Sequence, residues 1–145
     1  MLKCLIPAVA VSIGLAACDS AGGEAPVLAD SPGAGGTIAL SFRWCAATPE
    51  FKVSKVPPGT KTLRFRLVDH QAPGYRHGGG EVAFSGRGSM TVPCGGLTSS
   101  TYDPPHPPAG TVHEYEWTVT ALDAGGATLA TGTAVKNFPE RPRMR

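Results

Sequence analysis

The residues best suited to chemistry in this chain are its four histidines: His70, His77, His106 and His113. They fall in or beside stretches that read as loops, and no histidine lies elsewhere. An imidazole with its ordinary pKa of about 6.5 is partly charged near neutral pH and donates N–H groups to anions. With the Tyr115 hydroxyl and loop backbone N–H groups as further donors, the histidines indicate a site for a small anionic or phosphorylated ligand.

A carboxylate, Asp69, directly precedes the first histidine. It would orient a histidine or close a loop by accepting backbone N–H groups. Metal binding is the alternative use of these histidines, with Asp69 or Asp103 as an oxygen ligand. The first two and the last two histidines are each separated by 7 residues, whereas zinc sites usually show tighter spacings or a helix that presents paired ligands. We therefore expect no metal and no cofactor.

The reactive side chains of the sequence give little support for a catalytic function. Nucleophilic hydrolysis needs a serine or cysteine activated by a base, and the chain has no G-x-S-x-G segment. Cys45 and Cys94 are better explained as partners of each other, and no two carboxylates adjoin in the predicted loops. The sequence therefore predicts no catalytic residue and a protein that is not an enzyme.

Short strands separated by turns must position these side chains. The 19 glycines and 14 prolines interrupt helices and favour turns. Alternation of apolar and polar residues predicts the longer strands, at 37–44, 61–69, 112–122 and 127–135. Two short strands, at 81–84 and 89–92, are predicted on either side of a glycine turn. The pattern predicts one all-β domain at 37–138, an antiparallel β-sandwich or open barrel.

The N-terminus resembles the signal of a bacterial lipoprotein. The apolar run from Leu5 to Leu15 is too short for a bilayer, which needs about 20 apolar residues, and it leads into LAAC at 15–18. That segment resembles a lipobox, in which the cysteine takes the lipid. We expect a signal at 1–17, lipidation of Cys18, a flexible tether at 18–36, and a location in the cell envelope facing the periplasm or exterior.

If the protein is exported, Cys45 and Cys94 are an even pair of cysteines in an oxidising compartment, so we predict a disulfide between them. Two buried free thiols are the alternative. The net charge of +2 gives no argument for nucleic acid as a partner. Residues 139–145 form a short basic tail, interpreted as a solvated end. The expected partners are therefore the membrane, through the lipid, and a small anionic ligand.

Three stretches, in order, resemble the phosphatidylethanolamine-binding protein family, also called Raf kinase inhibitor-like proteins. TPEF at 48–51 and VPPGTK at 56–61 are similar to the family's S-P-x-L and V-P-x-G-T-K segments. LVDHQAPG at 67–74 is similar to D-P-D-A-P, and His77 stands where a histidine follows. YDPPHPPAG at 102–110, HEY at 113–115 and ALD at 121–123 are similar to Y-x-G-P-x-P-P-x-G, H-R-Y and a strand ending in A-L-D.

The resemblance implies a β-sandwich with a small surface pocket for phosphate or a phosphorylated head group. Carried over by position, the pocket residues are Asp69, Gln71, Ala72, Pro73, His77, His113 and Tyr115, with Tyr102 and His106 at the rim. The chain departs from the family pattern at several positions. Gln71 replaces an acid, Gly78 a tryptophan and Asp103 a glycine, and C-terminal helices are missing. An envelope interaction or structural protein with a vestigial pocket is the remaining alternative.

Overall fold

The computed structural model describes residues 36–98 and 101–140, and the described residues form eight β-strands and no helix. The prediction of an all-β domain is confirmed at this level. None of the described residues belongs to a helix able to cross a membrane. The predicted signal, Cys18, the tether before Gly36 and the tail beyond Glu140 lie outside the described residues. The strands are β1 (Gly36–Thr37), β2 (Ala39–Arg43), β3 (Glu50–Ser54), β4 (Thr62–Asp69), β5 (Gly79–Ala83), β6 (Ser89–Val92), β7 (His113–Leu122) and β8 (Thr128–Phe138).

The larger sheet has five strands in the order β1-β8-β7-β4-β5. Strands β4 and β7 pair antiparallel along the whole of β4, with Thr62 opposite Leu122 and Asp69 opposite Tyr115. The end of β4 therefore lies beside the start of β7. This register brings together two segments that are more than 40 residues apart in sequence, and the candidate site forms at this end of the pair.

The smaller sheet has three antiparallel strands in the order β2-β3-β6. The chain passes from the larger to the smaller sheet at Ile38, whose N–H donates to the carbonyl of Thr131 at 2.8 Å. Strand β1 pairs parallel with β8, so the prediction of a purely antiparallel fold is wrong for this one pair. The single strand predicted at 37–44 is two strands, β1 and β2, because the chain changes sheet at Ile38.

One hydrophobic core lies between the two sheets. Strands β4 and β7 each bury every second side chain on the inner face, namely Leu63, Phe65, Leu67, Trp117, Val119 and Ala121. The ring of Phe51, from the central strand of the smaller sheet, lies 4.4 Å from Phe65 and 4.9 Å from Trp117 between ring centroids. The same inward alternation continues to Asp69 on β4 and to Tyr115 and His113 on β7. The inner face therefore becomes polar where these strands meet.

The structure differs from the expected strands, or adds to them, at three places. Strand β3 was not predicted, although Phe51 and Val53 are buried. The segments at 81–84 and 89–92 flank a turn but belong to different sheets, because β5 pairs with β4 and β6 pairs with β3. The last strand continues to Phe138 because it stays paired with β7 as far as His113.

The predicted disulfide between Cys45 and Cys94 is confirmed. The two Cα atoms are 5.9 Å apart, with a sequence separation of 49 residues. Cys45 follows β2 and Cys94 follows β6, which are the two edge strands of the smaller sheet. The bond therefore ties together the ends of strands that do not pair with each other.

Candidate functional site

A buried carboxylate and a histidine meet where β4 ends and β7 begins. Asp69 is 3% exposed, and its Oδ2 lies 2.7 Å from Nδ1 of His113. We assign the proton of this bond to Nδ1, because the carboxylate can only accept. The neutral form of His113 then carries its free lone pair on Nε2, and its protonated form donates from Nε2. Asp69 thus orients the ring and leaves one nitrogen for another partner.

Asp69 also closes the loop that follows it. Its Oδ1 accepts the backbone N–H groups of Gln71 at 2.8 Å and of Ala72 at 3.1 Å. Burial raises the pKa of Asp69, but the hydrogen bonds from His113, Gln71 and Tyr115 together outweigh burial and hold the pKa below its ordinary value. Asp69 is therefore a carboxylate at neutral pH and acts as an acceptor.

Five aromatic side chains form a connected group, which we call the ring cluster: Tyr75, His77, His106, His113 and Tyr115. The ring centroids of His113 and Tyr115 are 6.2 Å apart, and those of Tyr115 and His77 are 5.4 Å apart. His77 in turn lies 4.7 Å from Tyr75 and 5.8 Å from His106. Imidazole and phenol groups from three separate segments of the chain thus come together at the Asp69 end of the core.

Two hydrogen bonds, one between backbone groups and one from the ring of His77, hold two loops together across the ring cluster. Asp103 donates its N–H to the carbonyl of His77 at 2.8 Å, and Nδ1 of His77 lies 2.9 Å from the carbonyl of Asp103. His77 is 2% exposed, so its ring is held both by this hydrogen bond and by the side chains packed around it. The loop after β4 and the Pro-rich segment before β7 are therefore joined at this point.

Tyr75 and Asp103 are site residues that the sequence did not single out for anion binding. The hydroxyl of Tyr75 donates to Oδ2 of Asp103. That hydrogen bond is the main reason why the pKa of Tyr75 lies above its ordinary value. The available signal was an aromatic residue in a Gly-rich polar loop, two positions before His77. Its partner is in another loop, which no local pattern indicates.

The two inner phenols remain donors at neutral pH. Burial, followed by the hydrogen bond to Asp69, raises the pKa of Tyr115 well above its ordinary value. Burial and the charge of Asp103 raise the pKa of Tyr102 to about 12. Tyr102 packs its ring 5.7 Å from Trp117 and lies beside the ring cluster. Tyr115 therefore donates its O–H to Asp69, and Tyr102 can offer its O–H group to another partner.

Gln71, which the resemblance assigned to the pocket, and His70, the first of the four histidines, have different environments. Gln71 uses its Oε1 to accept the N–H of Glu114 at 2.6 Å, so it braces the loop against the start of β7. His70 binds Glu114 at 2.8 Å, and this hydrogen bond raises the pKa of His70. Because Glu114 and Glu116 alternate with the inward residues of β7, His70 lies on the outer face of the sheet, away from the ring cluster.

An open groove of about 770 Å³ adjoins the ring cluster at His77. Pro73, Tyr75 and the guanidinium-bearing residues Arg66 and Arg76 line it, together with the glycine backbone at 78–80. Asp69, His113 and Tyr115 do not line it. Within 36–98 and 101–140, neither Arg66 nor Arg76 forms an ion pair. The groove therefore has two arginines available to an anion.

We expect Gly78→Ala to lower the free energy of unfolding by about 3 kcal/mol and to disrupt the ring cluster. Gly78 has a φ of +70°, and a Cβ there would lie 1.9 Å from the carbonyl oxygen of Thr101. The backbone at 101–103 would have to move, which breaks the hydrogen bonds between His77 and Asp103. A tryptophan, the residue that the motif resemblance would place at this position, cannot be accommodated at Gly78 for the same reason.

Gly126→Ala is the matched control, because Gly126 has a φ of +83° but no atom within 4 Å of the added Cβ. Only the strain of a left-handed conformation, about 1–2 kcal/mol, applies there. Urea unfolding of both variants measures the difference. Equal losses of stability in Gly78→Ala and Gly126→Ala would show that the close approach of the Thr101 carbonyl to Gly78 adds nothing to the cost of the substitution.

The arrangement supplies two arginines in the groove, the O–H group of Tyr102 and, in the protonated form of His113, its Nε2–H, which suits recognition of a small anion. No family model matches the sequence, and no curated protein matches it. The resemblance drawn from the sequence motifs therefore stays a prediction, and the site is known by its own geometry.

Proposed function

We propose that this protein is an exported, lipid-anchored binding protein of the phosphatidylethanolamine-binding type, which holds a small anionic or phosphorylated ligand at the ring cluster. The lipid on Cys18 would anchor it to a membrane of the cell envelope, facing the periplasm or exterior. The observation that carries the proposal is the convergence of His77, His113 and Tyr115 beside Asp69. These residues are spread over nearly 50 positions of the sequence, from Asp69 to Tyr115.

Charge and hydrogen bonding favour an anion over a cation. The carboxylate of Asp69 is already bound to His113 and two backbone N–H groups, so little of its acceptor capacity remains. Oδ2 of Asp103 is likewise engaged by Tyr75. Free donors remain on the arginines of the adjoining groove, and the protonated form of His113 donates from Nε2. A phosphate would gain charge-assisted hydrogen bonds from these groups.

The finer fold assignment, a β-sandwich of this family without its C-terminal helices, is part of the same proposal. Two packed sheets and the shared end of β4 and β7 support it. The proposal includes no catalysis, because the ring cluster contains neither a serine nor a cysteine, and the sulfurs of Cys45 and Cys94 are bonded to each other.

We expect His113→Ala to weaken the binding of inorganic phosphate and phosphoethanolamine by about 10–100-fold, the equivalent of one hydrogen bond to a charged group. Calorimetric titration of the full chain in detergent, with a chelator present, measures the affinity. His70→Ala is the control and should bind as the wild type does, because His70 lies on the outer sheet face.

A second pair of variants keeps the test valid if His113→Ala does not fold. Arg76 and Arg87 are both exposed arginines, but only Arg76 lines the groove beside His77. Arg76→Ala should reduce phosphate affinity, whereas Arg87→Ala should not. Absence of phosphate binding to the wild type at millimolar concentration would overturn the proposal and favour an envelope interaction protein.

A further inference from the structure

A potential metal-binding group lies at the outer side of the ring cluster. His77, Asp103 and His106 each offer a ligand atom within 4.8 Å of the ligand atoms of the other two. The sequence spacing gave no reason to group these three residues. The hydrogen bonds that join the loop after β4 to the Pro-rich segment bring them together.

Both imidazoles have the protonation pattern of metal ligands. Nδ1 of His77 lies 2.9 Å from the carbonyl of Asp103, and Nδ1 of His106 lies 2.7 Å from the carbonyl of Pro104. A carbonyl oxygen only accepts, so each Nδ1 carries the proton and each Nε2 keeps its lone pair. Histidines that bind metals commonly donate their other N–H to a backbone carbonyl in this way.

The separation of the rings fits coordination of one ion. Zinc–nitrogen bonds of about 2.1 Å in a tetrahedral site place two imidazole centroids about 5 Å apart. The centroids of His77 and His106 are 5.8 Å apart. The side chain of His106 is 59% exposed, so it can turn by the small amount required. Buried His77 provides a fixed first ligand.

The carboxylate of Asp103 supplies the oxygen ligand. Tyr75 binds Oδ2 of Asp103 and thereby orients the group. We propose that His77, His106 and Asp103 bind a divalent transition-metal ion, for which Zn²⁺ is the probe of choice. Two nitrogens and one oxygen leave a fourth position of a tetrahedral ion open to a small ligand. This inference does not depend on the proposed function.

Calorimetric titration of Zn²⁺ into the full chain in detergent, without phosphate, tests the site. We expect one ion per chain and binding at least about tenfold weaker in His106→Ala, since even partners outside the ligand set are worth 10–100-fold in affinity. The side chain of His106 is exposed and contacts a carbonyl, the carboxylate of Asp103 and neighbouring rings, so the variant should fold. Tyr75→Phe should also weaken binding, because Asp103 loses its orienting donor.

His70→Ala is the control, because His70 is an exposed histidine outside the group. The proposal is overturned if His106→Ala binds Zn²⁺ as tightly as the wild type, if His70→Ala loses as much affinity, or if the wild type binds no Zn²⁺. Phosphate binding is measured in the presence of a chelator, so its result is independent of Zn²⁺ binding. Zn²⁺ binding without any phosphate binding would remove the proposed function alone, and the reverse would remove the metal site alone.

Discussion

Removal of the disulfide between Cys45 and Cys94 should lower the free energy of unfolding by about 4 kcal/mol. The bond closes a loop across a separation of 49 residues, and in the chain-entropy model it stabilises the protein by restricting the unfolded chain. A domain of about 100 residues loses about 4–8 °C in Tm for each kcal/mol. The double variant Cys45→Ala/Cys94→Ala should therefore melt about 15–30 °C below the wild type.

Urea unfolding of the double variant and of the wild type measures this loss directly. The wild type in a reducing agent is the matched control, and its unfolding midpoint should move to that of the variant. A double variant within about 1 kcal/mol of the oxidised wild type would mean that the loop is already restricted in the unfolded state.

Asp69→Leu should lower the free energy of unfolding by about 3 kcal/mol, because it leaves buried donors without an acceptor. Those donors are Nδ1–H of His113, the O–H of Tyr115 and the N–H groups of Gln71 and Ala72. Asp69→Asn should cost less, since its amide oxygen can still accept the two backbone groups. It should still disrupt the site, because its NH₂ group cannot accept from His113.

The low pKa of Asp69 makes this contribution depend on pH. A carboxyl group whose pKa is lower in the folded than in the unfolded chain stabilises the fold above the unfolded value, about 3.9. The contribution is lost as pH falls from there through the lower folded pKa. Asp69→Asn should therefore lose less stability than the wild type in this acidic range, as urea unfolding at a series of pH values will show.

Asp123→Asn is the control for the acid experiment. Asp123 also accepts two backbone N–H groups, from Gly125 and Ala127, but it has no histidine partner and lies in the turn between β7 and β8. Its replacement should leave most of the acid dependence in place. An acid dependence that is the same in Asp69→Asn and the wild type would contradict the role assigned to Asp69.

The sequence predicted the long strands well because their alternation is strong. Strands β4 and β7 each carry inward apolar residues at every second position, and these positions alone imply that Asp69 and Tyr115 continue the inner face. Strand β3 was not found because only Phe51 and Val53 alternate there, between the Pro-containing segments at 48–49 and 56–58. The change of sheet at Ile38 could not be predicted, because alternation is the same in either sheet.

The candidate site was predicted in part. The motif resemblance named Asp69, His77, His113 and Tyr115. The register of β4 with β7 brings Asp69, His113 and Tyr115 together, and the ring of His77 packs against Tyr115. The roles of Tyr75 and Gln71 depend on partners in other loops, Asp103 and Glu114. Such pairings are fixed by tertiary structure, so local spacing carried no information about them.

The most direct test of the ring cluster as an anion site is a phosphate titration of the full chain labelled with ¹⁵N-histidine, followed by the imidazole NMR signals. The signals of His77 and His113 should shift together with one Kd, and the signal of His70 should stay unchanged. Equal shifts of all the histidine signals, or no shift of His77 and His113, would contradict a ligand held between them.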